Sequence, residues 1–287
     1  MRQQITPELR QWIISQAQDG WDIDALMQAM TSAGWSSSVA RAALQDVLSD
    51  TLSDVRPEPS PASEPEQPTG HVPGPDLSAS PLYLDGGDRR VAVLARMDLP
   101  HVIVLGGLLS DEECDALIEL ARPRLSRSLT VATETGGEAM NPDRTSDGMF
   151  FEREETELVA RIEARIARLL NWPLEYGEGL QVLCYGPGAE YKPHYDYFDP
   201  SDPGSASILA RGGQRVGTLI LYLNEPEQGG GTSFPDADFE VAPKRGNGVF
   251  FSYPQPDPST RTLHGGEPVR VGEKWIATKW LRERRFV

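Results

Sequence analysis

The sequence predicts an α+β protein: a small helical unit and a Pro-rich connector, then a larger domain whose core is a β-sandwich or barrel. Three observations predict it. Apolar residues recur at helical spacing between Gly breaks over residues 6–50, eight prolines crowd into residues 56–81, and beyond residue 172 the chain becomes short apolar runs divided by Gly and Pro. Helices followed by many short strands is the order of an α+β core. The 287 residues suit a domain of about 200 residues plus a smaller piece, and a 39% apolar content is enough to bury a core.

The helical unit is expected over 1–55. Thr6-Pro7-Glu8 is a helix start, with a capping hydroxyl, Pro at the first helical position and an acid in the first turn. Leu9, Trp12, Ile13 and Ala17 follow at helical spacing until Gly20. Asp22 opens a second helix with Ile23, Leu26, Met27 and Met30, ended by Gly34. Ser36–Ser38 cap a third, with Val39, Ala43, Leu44, Val47 and Leu48. The stripes are expected to face each other, with Trp12, Trp21 and Trp35 in the packing, and the unit to recruit a protein partner. Residues 56–81 cannot bury a core, and an extended, mobile linker is expected there.

In the larger domain, 82–287, Val91–Leu94 and Val102–Leu105 read as strands. Ser110-Asp-Glu-Glu113 is a capping box, followed by an apolar face of Cys114, Leu117, Ile118 and Ala121. Residues 131–148 read as a loop and Glu155–Leu170 as an amphipathic helix. Strands are expected at Leu180–Tyr185, His194–Phe198, Arg215–Leu223, Thr232–Phe234, Phe239–Val241, Gly248–Ser252 and Trp275–Leu281.

Composition excludes several classes. There are 27 basic and 43 acidic residues, a net charge of −16, with 11 acids and 4 bases in 1–81 and 32 acids and 23 bases in 82–287. Neither part is basic, so sequence-independent nucleic-acid binding is not expected. No apolar run approaches the ~18–20 residues of a membrane span, and Glu8, Arg10 and Asp19 interrupt the stretch a signal peptide would need. Two cysteines, Cys114 and Cys184, make neither a disulfide framework nor a Cys-rich zinc site. A cytoplasmic location is expected.

Of four histidines, His71 and His101 have no ligand-type neighbour. His194-Tyr195-Asp196 sets an imidazole and a carboxylate at i and i+2, which on a strand share one face. His264 follows 70 residues later in Thr262-Leu-His264-Gly-Gly266. Two imidazoles and one carboxylate form the facial ligand set of non-haem Fe(II) oxygenases, which leaves coordination positions open. Lys274 opens the last apolar strand, and Thr232 sits in Gly229-Gly-Gly-Thr232-Ser-Phe-Pro235. Inside a barrel, a Lys charge and a Thr hydroxyl suit a buried carboxylate.

These residues fall in an ordered series: Gln181-Val-Leu-Cys-Tyr185, Gly188-Ala-Glu-Tyr191-Lys-Pro-His194-Tyr-Asp196-Tyr-Phe198, Gly213-Gln-Arg215-Val-Gly-Thr218, Tyr222-Leu-Asn224, Gly230-Gly-Thr232-Ser-Phe-Pro235, His264-Gly-Gly-Glu-Pro-Val269 and Gly272-Glu-Lys274-Trp275 up to Trp280. Leu109-Ser-Asp-Glu-Glu-Cys114 and Asp143-Arg144-Thr-Ser146 precede it. The series resembles the prolyl 4-hydroxylase family of Fe(II)/2-oxoglutarate oxygenases, over about 98–285. The resemblance implies a double-stranded β-helix, a jelly-roll or cupin-like barrel with helices outside. It implies His194, Asp196 and His264 as iron ligands, and Lys274, assisted by Thr232 and Tyr185, as partner of the 2-oxoglutarate C5 carboxylate, with Thr218 a further cosubstrate candidate. Tyr191, Arg215 and Trp280 match substrate-side positions, Tyr191 also being counted with the catalytic set. The implied cofactors are Fe(II), 2-oxoglutarate and O2, with ascorbate as reductant, and the implied reaction hydroxylates a prolyl residue of a peptide or protein with release of succinate and CO2. One departure is Gly231, where relatives often carry Glu before the Thr.

Three other readings remain at this stage: a hydroxylase of a free amino acid or other small molecule, a non-catalytic sensor or binding module on the same fold, and a cupin-type metal enzyme without 2-oxoglutarate, in which Lys274 and Thr232 would have no purpose. The loops 131–148 and 199–214 would set how open the site is. An Asp at 196, where related halogenases carry a small non-ligating residue, favours hydroxylation.

Overall fold

The computed structural model describes residues 23–32, 35–36, 39–40, 43–44, 72–131, 138–140 and 143–287. The chain divides into two units, Met1–Gln67 and Pro68–Val287. In the first, helix α1 (Ile23–Ser32) turns Leu26 and Met30 into a small apolar cluster with Ala40, Ala43 and Leu44, and Trp35 packs against it. The first expected helix, with Trp12, and Trp21 lie outside the described residues.

The second unit opens with β1 (Tyr83–Asp85), β2 (Arg90–Met97) and β3 (His101–Gly106), then helix α2 (Asp111–Ala121). Short strands β4 (Ser126–Arg127), β5 (Leu129–Val131) and β6 (Glu138–Met140) lead to β7 (Asp147–Phe151) and helix α3 (Glu157–Leu169). Then come β8 (Leu180–Tyr185), β9 (Tyr191–His194), helix α4 (Ser205–Ala210), β10 (Arg215–Tyr222), β11 (Gln228–Gly229), β12 (Thr232–Phe234) and β13 (Phe239–Val241). The chain finishes with β14 (Gly248–Ser252), β15 (His264–Gly266), β16 (Val269–Val271) and β17 (Lys274–Arg282).

Nine strands form one antiparallel sheet in the order β1-β2-β3-β14-β10-β17-β8-β7-β4, and four form a smaller one, β13-β12-β15-β9. Along β17 the side chains alternate, as any strand's must. Trp275, Ala277 and Leu281 join the layer beneath α2 and α3, with Leu117, Val159, Ile162 and Ile166. Ile276 joins a second layer with Tyr185, Ile220, Tyr222 and Phe251 of the large sheet and Phe234 and Val241 of the small one. Every residue of β17 is therefore buried. Two antiparallel sheets face to face, with helices on the outer face of the larger, are consistent with a double-stranded β-helix. Among the described residues no helix is long and apolar enough to cross a membrane.

The helices are pinned by local chemistry. The Ser110 hydroxyl accepts from the Glu113 N–H, and the Glu113 carboxylate accepts from the Ser110 N–H, closing the predicted capping box. Glu113 is also buried against Arg165 of α3 (2.8 and 2.9 Å), so one side chain caps α2 and ties the two helices together.

Four expectations differ from the structure. Residues 131–148 are not all loop: β5 and β6 form a hairpin there, and β7 begins at Asp147. Residues 199–214 include α4. Residues 72–81 are not a free linker: Pro73 is buried, Val72 and Leu77 pack on the core, and the Gly74 N–H donates to Leu170 O (2.8 Å). The strand expected at His194–Phe198 is displaced to Tyr191–His194. Its partner β15 is three residues long, so past His194 the backbone has no ladder to join. The Gln214 side chain substitutes, accepting from Phe198 N–H (2.8 Å) and donating to Phe198 O (2.7 Å).

Candidate active site

β9 and β15 run antiparallel with His194 directly opposite His264. Opposed residues of such a pair project on one face about 5 Å apart, and the two imidazole centroids lie 4.4 Å apart. Each ring is fixed from behind: His194 Nδ1 meets Lys192 O at 2.9 Å and His264 Nδ1 meets Thr262 O at 3.0 Å. A carbonyl only accepts, so each Nδ1 carries a proton, which makes Nε2 the ring nitrogen open to a metal. Both Nε2 atoms lie 3.5 Å from the Asp196 carboxylate. The three prospective ligand atoms are within 4.8 Å of one another. Asp196 reaches this point from the irregular segment after β9, not from a continuing strand.

Burial pushes His264 down to about 4, despite the pull of Asp196, so its imidazole is neutral at pH 7. Burial opposes the charge on Asp196, but His264, His194 and Arg215 outweigh it and hold the carboxyl below the usual carboxylate range. Two imidazoles and an ionised carboxylate fit Fe(II).

Lys274 begins β17 opposite Tyr185 of β8. It is 3% exposed, with Nζ 5.6 Å from the Tyr185 ring centroid and 6.0 Å from that of Tyr222. No carboxylate among the described residues makes an ion pair with it. Burial pulls it down to about 8, which distant Glu240 and Glu267 only partly oppose. A buried cation without an anion fits a ligand carboxylate. Thr232 Oγ1 accepts from Tyr222 OH (2.8 Å), which leaves its own proton to donate. Gly230 keeps the Lys274 stem clear, since a Cβ there would lie 3.1 Å from Lys274 Cδ. Gly231 makes room for a neighbour: a Cβ would lie 1.8 Å from Glu240 Oε1, so the Glu240 carboxylate occupies the space.

The histidines, Asp196, Lys274, Thr232, Thr218, Tyr185, Tyr191 and Trp280 line one cavity of about 430 Å³, counting its open side. Tyr191 stacks on His194 (3.7 Å between centroids) and is pushed up to about 12 by burial. Arg215 is not among the lining residues. It is held by Glu178 through two bonds of 2.7 and 2.8 Å, and lies 4.1 Å over the Trp280 ring. Thr218 donates to Asp196 Oδ2 at 2.7 Å.

Several residues were missed in the sequence. Ile276 and Thr278 line the cavity between Lys274 and Trp280, and the two-residue period of β17 was the signal for them. Arg144, noted only within a matching tetrapeptide, also lines it; its Nε and Trp280 Nε1 have no hydrogen-bond partner among the described residues. Glu178 and Tyr253 had no local signal.

A two-sheet antiparallel core with a His/Asp/His set and a buried lysine defines a metal-dependent oxygenase site. The profile of the 2OG-Fe(II) oxygenase superfamily matches residues 180–282. Prolyl 4-hydroxylase 5 of Arabidopsis thaliana is 38% identical over 70% of this chain and 74% of its own length. Probable prolyl 4-hydroxylase 7 of the same plant is 35% identical over 65% of this chain and 64% of its own length, so the chain spans somewhat under two thirds of that relative. A crystal structure of a viral collagen prolyl hydroxylase from Paramecium Bursaria Chlorella virus-1, a 2OG complex, is 33% identical over 63% of this chain and 95% of the other, with a TM-score of 0.48. This chain belongs to the prolyl 4-hydroxylase family of 2OG-Fe(II) oxygenases. The cofactors of that family are Fe(II), 2-oxoglutarate and O2.

Proposed function

We propose that the chain hydroxylates a prolyl residue, at its 4-position, within a peptide or protein. The observation that carries the reading is Lys274: a buried ammonium, with no ion-pair partner among the described residues, in the same cavity as the His194, Asp196 and His264 ligand atoms. In this reading the two imidazoles and the carboxylate hold Fe(II). Lys274 and Thr232 hold the distal carboxylate of 2-oxoglutarate, with Tyr185 beside them. Bound Fe(II), with 2-oxoglutarate and O2, supplies the oxidising chemistry that places one oxygen atom on a C–H carbon and the other in succinate, with loss of CO2.

The chain's own residues orient and shield. Leu183, Ile220 and Ile276 give the cavity an apolar wall that excludes water. Tyr191 stays protonated and is available to donate to a substrate oxygen. Arg144 Nε and Trp280 Nε1 lack acceptors among the described residues, and backbone carbonyls flanking a target proline would supply them, which favours a peptide over a free amino acid. Arg215 acts through Trp280 by holding its ring. Ascorbate serves as reductant, and residues 1–55 recruit the protein substrate.

The test is 2-oxoglutarate turnover with Pro-containing peptides and with free proline, read by succinate release and by mass spectrometry for one added oxygen. Peptide hydroxylation is expected. Turnover with free proline alone would reject the peptide reading, and no succinate with any substrate would reject the reaction.

A further inference from the structure

Asp196 poses a positioning problem. It lies two residues beyond the end of β9, where no ladder holds the backbone, yet its carboxylate must stand at a set place between two imidazoles that a strand pair does hold. The large sheet solves this from the opposite side. Thr218, in the middle of β10, is fully buried, with its Oγ1 2.7 Å from Asp196 Oδ2. Tyr253, just past β14 and 1% exposed, has its hydroxyl 2.9 Å from the same Thr218 Oγ1. The Tyr253 backbone is pinned to β10 as well, its N–H donating to Val216 O at 3.0 Å.

The proton count fixes the direction. An ionised carboxylate only accepts, so Thr218 spends its single proton on Asp196. Tyr253 must then donate to Thr218. The chain reads Tyr253 O–H to Thr218 O–H to Asp196, and Thr218 has no proton left for an anionic cosubstrate. Thr232 differs, because it accepts from Tyr222 and keeps its own proton free.

We propose that Tyr253 and Thr218 form a two-hydroxyl relay that orients the Asp196 carboxylate for the metal and makes both of them positioning residues of the iron centre. Oδ2 is tethered to the large sheet and Oδ1 is left for the ion. The proposal rests on the metal-centre reading of the site. A partner behind a metal-ligating carboxylate typically changes metal affinity about 10- to 100-fold.

The test is Mn(II) affinity by calorimetry on the metal-stripped full chain, alongside thermal melting and 2-oxoglutarate binding. Thr218→Val is expected to weaken Mn(II) binding about 10- to 100-fold. Thr218→Ser, which keeps the hydroxyl, is expected to restore most of it. Tyr253→Phe, which removes one oxygen, is expected to weaken Mn(II) binding by about 3- to 10-fold, below the full second-layer effect because Thr218 still donates. Should Thr218→Val not fold, Tyr253→Phe decides alone. Native Mn(II) affinity in folded Tyr253→Phe or Thr218→Val overturns the relay, as does a Thr218→Val enzyme weakened only toward 2-oxoglutarate. A native chain that takes up no Mn(II) overturns the metal-centre reading itself, which is a separate failure.

Discussion

Lys274 stands directly across the sheet from Tyr185, its ammonium 5.6 Å from the centre of the phenol ring. The Tyr222 ring lies at 6.0 Å. Two aromatic faces partly stabilise the buried charge, and the carboxylates that favour it, Glu240 and Glu267, make no ion pair with it. The site is arranged to receive an anion.

Removing that cation should therefore weaken cosubstrate binding. Lys274→Ala is expected to raise the apparent constant for 2-oxoglutarate about 30- to several-thousand-fold, from the roughly 2–5 kcal/mol of an unpaired buried charge. Lys274→Arg should recover part of the loss, because the charge remains but the fork sits differently. An unchanged 2-oxoglutarate dependence in Lys274→Ala would remove this residue from the cosubstrate site.

The same lysine gives two opposite pH dependences. Burial lowers it to about 8, so the ligand-free protein carries the charge below that pH and loses it above. Affinity for 2-oxoglutarate should be full below pH 8 and fall as pH rises through 8. Stability of the ligand-free chain should move the other way. The folded value lies below the unfolded one, so the unfolded chain binds more protons between about 8 and 10.5, and stability gains up to roughly 3 kcal/mol across that window. Binding titrations and urea unfolding from pH 7 to 10 check both signs, with Lys274→Met as the variant that should flatten each curve.

Metal dependence should follow the ligand set. His194→Ala, Asp196→Ala and His264→Ala are each expected to bring turnover to background while circular dichroism stays native. Chelation should abolish activity, Fe(II) should restore it, and Zn(II), which has no redox chemistry, should not. An active His264→Ala enzyme would end the three-ligand reading.

Glu178 accepts from Arg215 and, at 3.0 Å, from Arg282, with all three residues largely buried. Burial opposes its charge, but the two guanidiniums outweigh that and hold its carboxyl below the usual range. Glu178→Ala strands two buried cations and is expected to cost about 3–5 kcal/mol in urea unfolding. A cost below about 0.5 kcal/mol, ordinary for a surface site, would show that the cluster is not a structural support for Trp280.

The segment before β1 also has a measurable role. A 68–287 fragment should fold and turn over a short peptide. An 82–287 fragment loses Pro73, Val72 and Leu77 from the core and should be less stable by about 2–5 kcal/mol. Equal melting of the two fragments would return 72–81 to the linker.

What the sequence determined by itself is local. The Ser110 capping box, the amphipathic helix before Trp172 and the strands at Leu180–Tyr185, Thr232–Phe234 and Gly248–Ser252 are written in neighbouring residues, because caps and two- or 3.6-residue periods act over a few positions. The spacing of His194 and Asp196, and the Lys at the head of an apolar run, were legible for the same reason. Tertiary structure decided the rest. Strand register placed His264 opposite His194 across 70 residues of chain. The lack of a ladder partner beyond β9 took Asp196 off the strand, and Tyr253, 57 residues after it, supplied its support through Thr218. The ion pair with Glu178 drew Arg215 out of the cavity lining and behind Trp280. A buried polar group takes whichever complementary partner the packed sheets bring within about 3 Å, and that partner carries no mark in the residues beside it.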